Sequence, residues 1–128
     1  MTSMPEGRAP DDPSSLADVE RGLEPRLRAH VGTLAGAIGE RNVFRPDGLE
    51  QAAEYLETTL AELGHRVEAQ DFESGGLAVR NLEVEHPGRA QPGKIVVVGA
   101  HYDSVLGCPG ANDNGTGVAA AVELSRLL

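Results

Sequence analysis

The chain has no tryptophan, only 3% aromatic residues and a single cysteine. So few rings leave no stacking platform for nucleobases, and the core has to be built from Leu, Val and Ala. One thiol, Cys108, cannot close an internal disulfide, which leans toward a reducing compartment. Positive charge is scarce as well: 11 Lys and Arg against 20 Asp and Glu give a formal charge of −9. Such a field repels phosphate backbones and attracts divalent cations, so nucleic acid is not an expected partner. No apolar run approaches the roughly 20 residues needed to span a bilayer. The opening MTSMPEGRAPDDPSSLADVE lacks a basic stretch followed by an apolar one, so no signal peptide is visible. The expectation is a cytoplasmic protein with no membrane partner.

What is present suits one modest globular domain: 128 residues, 40% hydrophobic and 24% charged. Residues 1–13 are rich in Pro, Gly and Asp and read as a disordered tail, leaving residues 14–128 as the domain. Ser14 or Ser15 is placed to cap a helix along which Leu16, Val19, Leu23, Leu27, Val31, Leu34 and Ile38 recur at three-and-four spacing. Pro25 should kink that helix or restart it, and Gly39 ends it. Arg21, Arg26, Arg28 and His30 lie off the stripe and read as a solvated face. After a connector, ERNVFRP, Asp47 and Glu50 form a capping-box variant at the head of a second helix, Leu49 to Leu63, stopped by Gly64.

Alternation at Val67, Ala69 and Phe72, then Gly75-Gly76, then Val79, Leu82 and Val84 predicts two antiparallel strands. Beyond a Pro/Gly loop, the unbroken run Ile95, Val96, Val97, Val98 predicts a strand covered on both faces. From about Gly115, Val118, Ala121, Val122, Ser125 and Leu128 mark a third helix. The fold class is therefore α/β with a mixed sheet. A strand apolar on both faces needs helices above and below and neighbours at each side, more than this chain supplies. It reads as a partial domain, truncated after the helix that follows the loop.

Chemistry gathers at the far end of that run. His101 and Asp103 sit where ligands bind in open α/β sheets, and Asp113 follows in a loop broken by Gly107, Pro109 and Gly110. His101 offers an imidazole nitrogen, a usual zinc ligand, and Asp113 offers two oxygens able to bridge two cations. The Asp103 carboxylate can accept the other ring N–H of His101, which fixes the tautomer. Taken alone, a His-x-Asp pair fits a structural hydrogen bond better than a metal site. Cys108 reads as loop filler rather than soft ligand or nucleophile, having Pro109 beside it and no second cysteine. Ser104 lacks a Gly-x-Ser-x-Gly elbow and reads as a hydrogen-bonding loop residue. Gly115, Gly117 and Ala120 fit a dinucleotide fingerprint only loosely, because a long loop separates them from the strand. His30, His65 and His86 read as isolated surface histidines, and Glu123 as solvated.

The stretch GAHYDSVLGCPGANDNGTGVA resembles the co-catalytic zinc exopeptidases. Within them it is closest in pattern to the aminopeptidase family that includes bacterial leucyl aminopeptidases and glutamate carboxypeptidase II. The motifs stand as His101-Tyr102-Asp103-Ser104 and Gly110-Ala111-Asn112-Asp113-Asn114-Gly115-Thr116-Gly117, with His101 and Asp113 twelve positions apart. A related carboxypeptidase and dipeptidase family has a longer gap. The resemblance implies a three-layer α/β/α domain that holds two zinc ions and releases N-terminal amino acids from peptide or amino-acyl substrates. It implies that His101 binds one zinc, Asp113 bridges both, and Asp103 orients His101. It also implies a cis peptide after Asp113. In the family a Glu-Glu pair supplying general base and ligand, a further Asp and a distal His follow downstream, and this chain has none of them. The expectation is weak zinc binding and no hydrolysis by the fragment alone, with a complementing carboxy-terminal segment as a partner. The alternative is a non-catalytic remnant or interaction domain.

Overall fold

A computed structural model describes residues 13–128, with side chains from residue 17 onward. In chain order the elements are α1 (Pro13–Val31), α2 (Pro46–Glu62), β1 (Glu68–Ser74), β2 (Leu77–Glu83) and α3 (Thr116–Leu127). The α/β class stands. The tail expected over residues 1–13 lies outside the described residues, apart from Pro13, which opens α1. Ser14 and Ser15 consequently fall inside the first turn and not at its cap.

Helix α1 runs through Pro25 without ending there and widens into a π-type turn over Gly32–Ile38, closed by Gly39. Its apolar stripe is only partly used. Leu34 is wholly buried, Leu23 and Leu27 are half-buried, and Val19 is exposed. What fastens α1 to its neighbours is polar. Glu123 of α3 is 1% exposed, and its carboxylate accepts hydrogen bonds from Arg26 Nε at 2.6 Å, His30 Nε2 at 2.9 Å and Arg126 Nε at 3.0 Å. The other ring nitrogen of His30 meets the Tyr55 hydroxyl of α2 at 2.6 Å. Two helices thus meet at one carboxylate, and α2 joins them through His30.

This arrangement corrects the solvated readings of Arg26, His30 and Glu123. A buried carboxylate is tolerable only with donors around it, and these come from a helix about 95 positions away in sequence, beyond the reach of any local pattern. Burial raises the pKa of Glu123, but the bonds from Arg126, Arg26 and His30 outweigh it and take the value down to about 2. Arg21 and Arg28 do stay outside, paired along α1 with Asp18 and Glu24.

Helix α2 begins with Pro46, whose missing N–H is no loss in a first turn, and buries Leu49, Ala52, Ala53 and Leu56. The expected capping box does not form, since the cap residue is Arg45 and makes no side-chain bond. Glu50 is engaged elsewhere: with Glu57 it clamps Arg80 of β2, at 2.8 Å and 3.1 Å. Glu50 above all, with Glu57, raises the pKa of that guanidinium against the effect of burial. The hairpin matches its sequence signal. Gly75 and Gly76 have φ of 59° and 79°, both positive as a two-residue turn between right-twisted strands requires, and Phe72 lies opposite Val79.

The run Ile95–Val98 departs from expectation. Among the described residues the ladder is the antiparallel pair β1–β2 alone, and Ile95, Val96, Val97 and Val98 are 85%, 87%, 86% and 62% exposed. A strand of the expected mixed sheet needs a neighbour to bond and a layer to pack on, and here the run has neither. The core is formed instead by Leu34, Ala52, Leu56, Val118 and Val122, with Leu82, Ala100 and Tyr102 against them. No described helix is long and apolar enough to cross a membrane.

The Glu123 knot sets a pH dependence. Its folded pKa of about 2 lies below the ordinary 4.5, so its contribution is complete above about 4.5 and is lost as pH falls toward 2. Thermal melts of the wild-type chain should drop through that window. Glu123→Leu should melt lower at pH 7, by about 3 kcal/mol or more in chemical denaturation, because Arg26 and His30 lose their acceptor. It should also show a flatter profile between pH 4.5 and 2. Parallel profiles for the two proteins would contradict this account.

Candidate metal centre

From Ala100 onward the side chains alternate. Ala100 and Tyr102 turn to the core, while His101 and Asp103 turn outward. Tyr102 is fixed at both ends of its side chain. Its ring packs on the core and its hydroxyl donates to the Arg80 carbonyl at 2.6 Å, which ties the segment to the hairpin and, through Arg80, to α2. Burial pushes the phenol's pKa up, so it remains a donor.

On the outer side the three sequence-derived residues come together. His101 Nδ1 lies 2.9 Å from Asp103 Oδ1, and His101 Nε2 lies 3.0 Å from Asp113 Oδ1. Asp113 reaches that position from a π-type turn, Ala111–Gly115, whose backbone leaves helical geometry at Asp113 and Asn114. The Asp113–Asn114 peptide is cis. Helix α3 then starts at once, with Gly117 N–H donating to Asn114 Oδ1 at 3.1 Å and the Thr116 hydroxyl donating to the Asn112 carbonyl at 2.9 Å.

The donor chemistry fits a cation. A carboxylate only accepts, so Asp103 draws the proton of the neutral ring to Nδ1 and leaves a lone pair on Nε2. Nε2 and Asp113 Oδ1 are then two acceptors 3.0 Å apart, and such a pair needs positive charge shared between them, a proton or a metal. Two donors bound to one tetrahedral zinc at about 2.0–2.1 Å lie roughly 3.3 Å apart, so a shift of a few tenths of an ångström would admit the ion. Among the described residues no third His, Cys, Asp or Glu joins them.

Sequence reasoning missed the residue that holds the loop. Arg41, in the supposed connector, has no exposed surface. Its guanidinium donates to the carbonyls of Tyr102 at 2.5 Å, Pro109 at 2.5 Å and Gly110 at 3.0 Å, and to those of Leu34 and Gly39 at 3.0 Å. Its backbone exchanges two further bonds with Ser104, whose hydroxyl accepts the Arg41 N–H at 3.0 Å and whose N–H donates to the Arg41 carbonyl at 2.8 Å. Beside it the Glu40 carboxylate accepts Gly107 N–H at 2.9 Å, a bond that lowers its pKa. Burial lowers the pKa of Arg41, and the charge of Asp103 works the other way. Nothing in Glu-Arg-Asn marks a buried cation, because a lone arginine in a polar connector has the composition of a surface loop.

Other candidates fall away from the centre. Cys108 is exposed. Ser104 is buried and spends its hydroxyl on Arg41. His65 and His86 are not isolated but meet each other edge to face, with ring centres 4.7 Å apart.

Residues 81–128 match Peptidase family M28. YfbL, an uncharacterized protein of Escherichia coli K12, is 33% identical over 124 residues, covering 90% of this chain and 38% of YfbL. Leupeptin-inactivating enzyme 1 of Streptomyces exfoliatus is 32% identical over 114 residues, 89% of this chain and 24% of that enzyme. An aminopeptidase of Pseudomonas aeruginosa is 55% identical over 40 residues, 31% of this chain and 8% of its own. The chain therefore spans well under half the length of these relatives. The matches support the class of metallopeptidase-type hydrolases. Within that class the matched family is peptidase family M28, over residues 81–128.

The loop's tightness can be measured at Gly110. Its φ is +62°, and a Cβ there would lie 2.7 Å from Ser104 Cβ and 2.8 Å from the Asp113 carbonyl oxygen. Gly110→Ala should cost about 2 kcal/mol or more in chemical denaturation. Gly93→Ala, where a Cβ meets nothing within 4 Å, should stay within about 0.5 kcal/mol of wild type. Equal effects at the two positions would mean that the loop is slack.

Proposed function

We propose that this chain is part of a zinc-dependent aminopeptidase in which His101 and Asp113 are metal ligands and Asp103 orients His101. The observation that carries the reading is the pair of acceptors, His101 Nε2 and Asp113 Oδ1, 3.0 Å apart with Asp103 on the far nitrogen of the ring. Imidazole nitrogen with carboxylate oxygen is a donor set that suits zinc. The metal would supply a polarised scissile carbonyl and a water of lowered pKa. The chain's own groups do the positioning. Asp103 accepts the Nδ1 proton and so keeps Nε2 available, while Asp113 keeps a second oxygen for a neighbouring cation. Peptide or amino-acyl substrates are favoured by the names of the relatives, an aminopeptidase and a leupeptin-inactivating enzyme.

Zinc takes about four ligands, and hydrolysis adds the need for a base. The described residues bring together two donors, with Asp103 behind one of them. The remaining groups then come from a complementing carboxy-terminal segment, and the 128-residue chain alone binds zinc weakly without hydrolysing peptides. The exposure of Ile95–Val98 favours the same need for a partner segment.

Zinc titration of the purified chain should show weak binding that His101→Ala abolishes, that Asp113→Ala reduces to a residual, still measurable level and that Asp103→Asn weakens about tenfold or more. Release of 4-nitroaniline from an aminoacyl-4-nitroanilide should require co-expression with the carboxy-terminal part of a longer relative. Zinc binding indifferent to His101→Ala would remove the basis for the assignment.

A further inference from the structure

We infer that Arg41 is a positioning residue that sets the distance between His101 and Asp113 before any metal arrives, an inference resting on the reading of those two side chains as ligands. The two are twelve residues apart on irregular backbone, and they are 54% and 79% exposed. Contacts of the ligands with their own surroundings cannot fix their separation, and an unrestrained loop of that length samples many. Arg41 restrains both arms at once. On one arm it holds the carbonyl of Tyr102, the residue between His101 and Asp103. On the other it holds Pro109 and Gly110, at the entry to the turn that carries Asp113.

The Gly110 carbonyl also accepts Gly115 N–H at 3.0 Å, which passes the restraint across Asp113 to the start of α3. The remaining bonds, to Leu34 and Gly39, fasten the same guanidinium to the end of the first helical stretch. A planar fork with five N–H groups can serve carbonyls on both sides. Lysine, with three donors on one atom, cannot span them.

The test uses Arg41→Lys and Arg41→Ala in the full 128-residue chain. Arg41→Lys should keep the helix content and the amide protection of the β1–β2 hairpin. Exchange at Ser104 and Gly115 should accelerate, and zinc affinity should fall about tenfold or more. The loss should disappear in an Asp113→Ala background, because the coupling runs through that ligand. Methylguanidinium added to Arg41→Ala should restore most of the affinity. If Arg41→Ala does not fold, Arg41→Lys and the double-mutant cycle decide.

Folded Arg41→Lys with wild-type zinc affinity would overturn the inference, as would an equal loss in the Asp113→Ala background. A wild-type chain with no zinc affinity would sink the ligand reading instead. The exchange rates of Ser104 and Gly115 would then judge Arg41 alone, and unchanged rates would refute its hold on the loop.

Discussion

A guanidinium with no exposed surface, surrounded by five carbonyl oxygens, is the constraint on which the candidate site depends. Moving a cation out of water is costly, and neutral dipoles offset that cost only when they are numerous and well aimed. Arg41 meets this condition because the chain turns five carbonyls toward it, those of Gly39, Tyr102 and Pro109 and, through a second lone pair beside a backbone bond, those of Leu34 and Gly110. Irregular backbone and buried cation stabilise each other: the carbonyls need a donor away from water, and the arginine needs acceptors. The exposed His101–Asp113 pair therefore rests on a buried, hydrogen-bonded bed, which restrains the surface loop at the point where the proposed metal would bind.

The molecule handles a second buried charge in the opposite manner. Glu123 is met by full charges on Arg26 and Arg126 as well as by His30, so its environment favours ionisation strongly. That knot joins three helices and does not touch the ligand pair. Among the described residues no carboxylate bonds to Arg41, and Asp103 acts on it only at longer range. One charge locks helices together and the other organises a loop. The difference follows from what surrounds each: side chains on regular helices can offer opposite charge, whereas a loop offers mainly its own backbone.

Sequence made some of this legible and concealed the rest, for reasons that can be named. The hairpin was readable because Gly75-Gly76 satisfies a local backbone requirement between alternating strands. The apolar face of α2 was readable from its period. The triplet of His101, Asp103 and Asp113 was readable as a spacing, and the structure brings the three within hydrogen-bond distance. Arg26, His30 and Glu123 were misread because each is polar and its partner is remote in sequence. The same holds for Arg41, whose partners are backbone carbonyls and leave no trace in residue identity. Glu50 shows the converse error: a local capping pattern was present, but the Arg80 guanidinium offered its carboxylate a stronger, charged donor.

The exposed run Ile95–Val98 and the short donor set are two aspects of one condition. Four β-branched residues with both faces bare form a strand in composition without a sheet to belong to. In α/β architectures ligands are delivered from the carboxyl ends of adjacent strands, so whatever pairs with this run also brings its own strand tips alongside His101. Any segment able to bury the run is thereby placed to complete the coordination of the candidate centre. On the proposed reading apolar burial and metal affinity are coupled, because one segment that covers Ile95–Val98 would gain from both. The Arg41 bed does not depend on that step, because all its acceptors lie within the described chain.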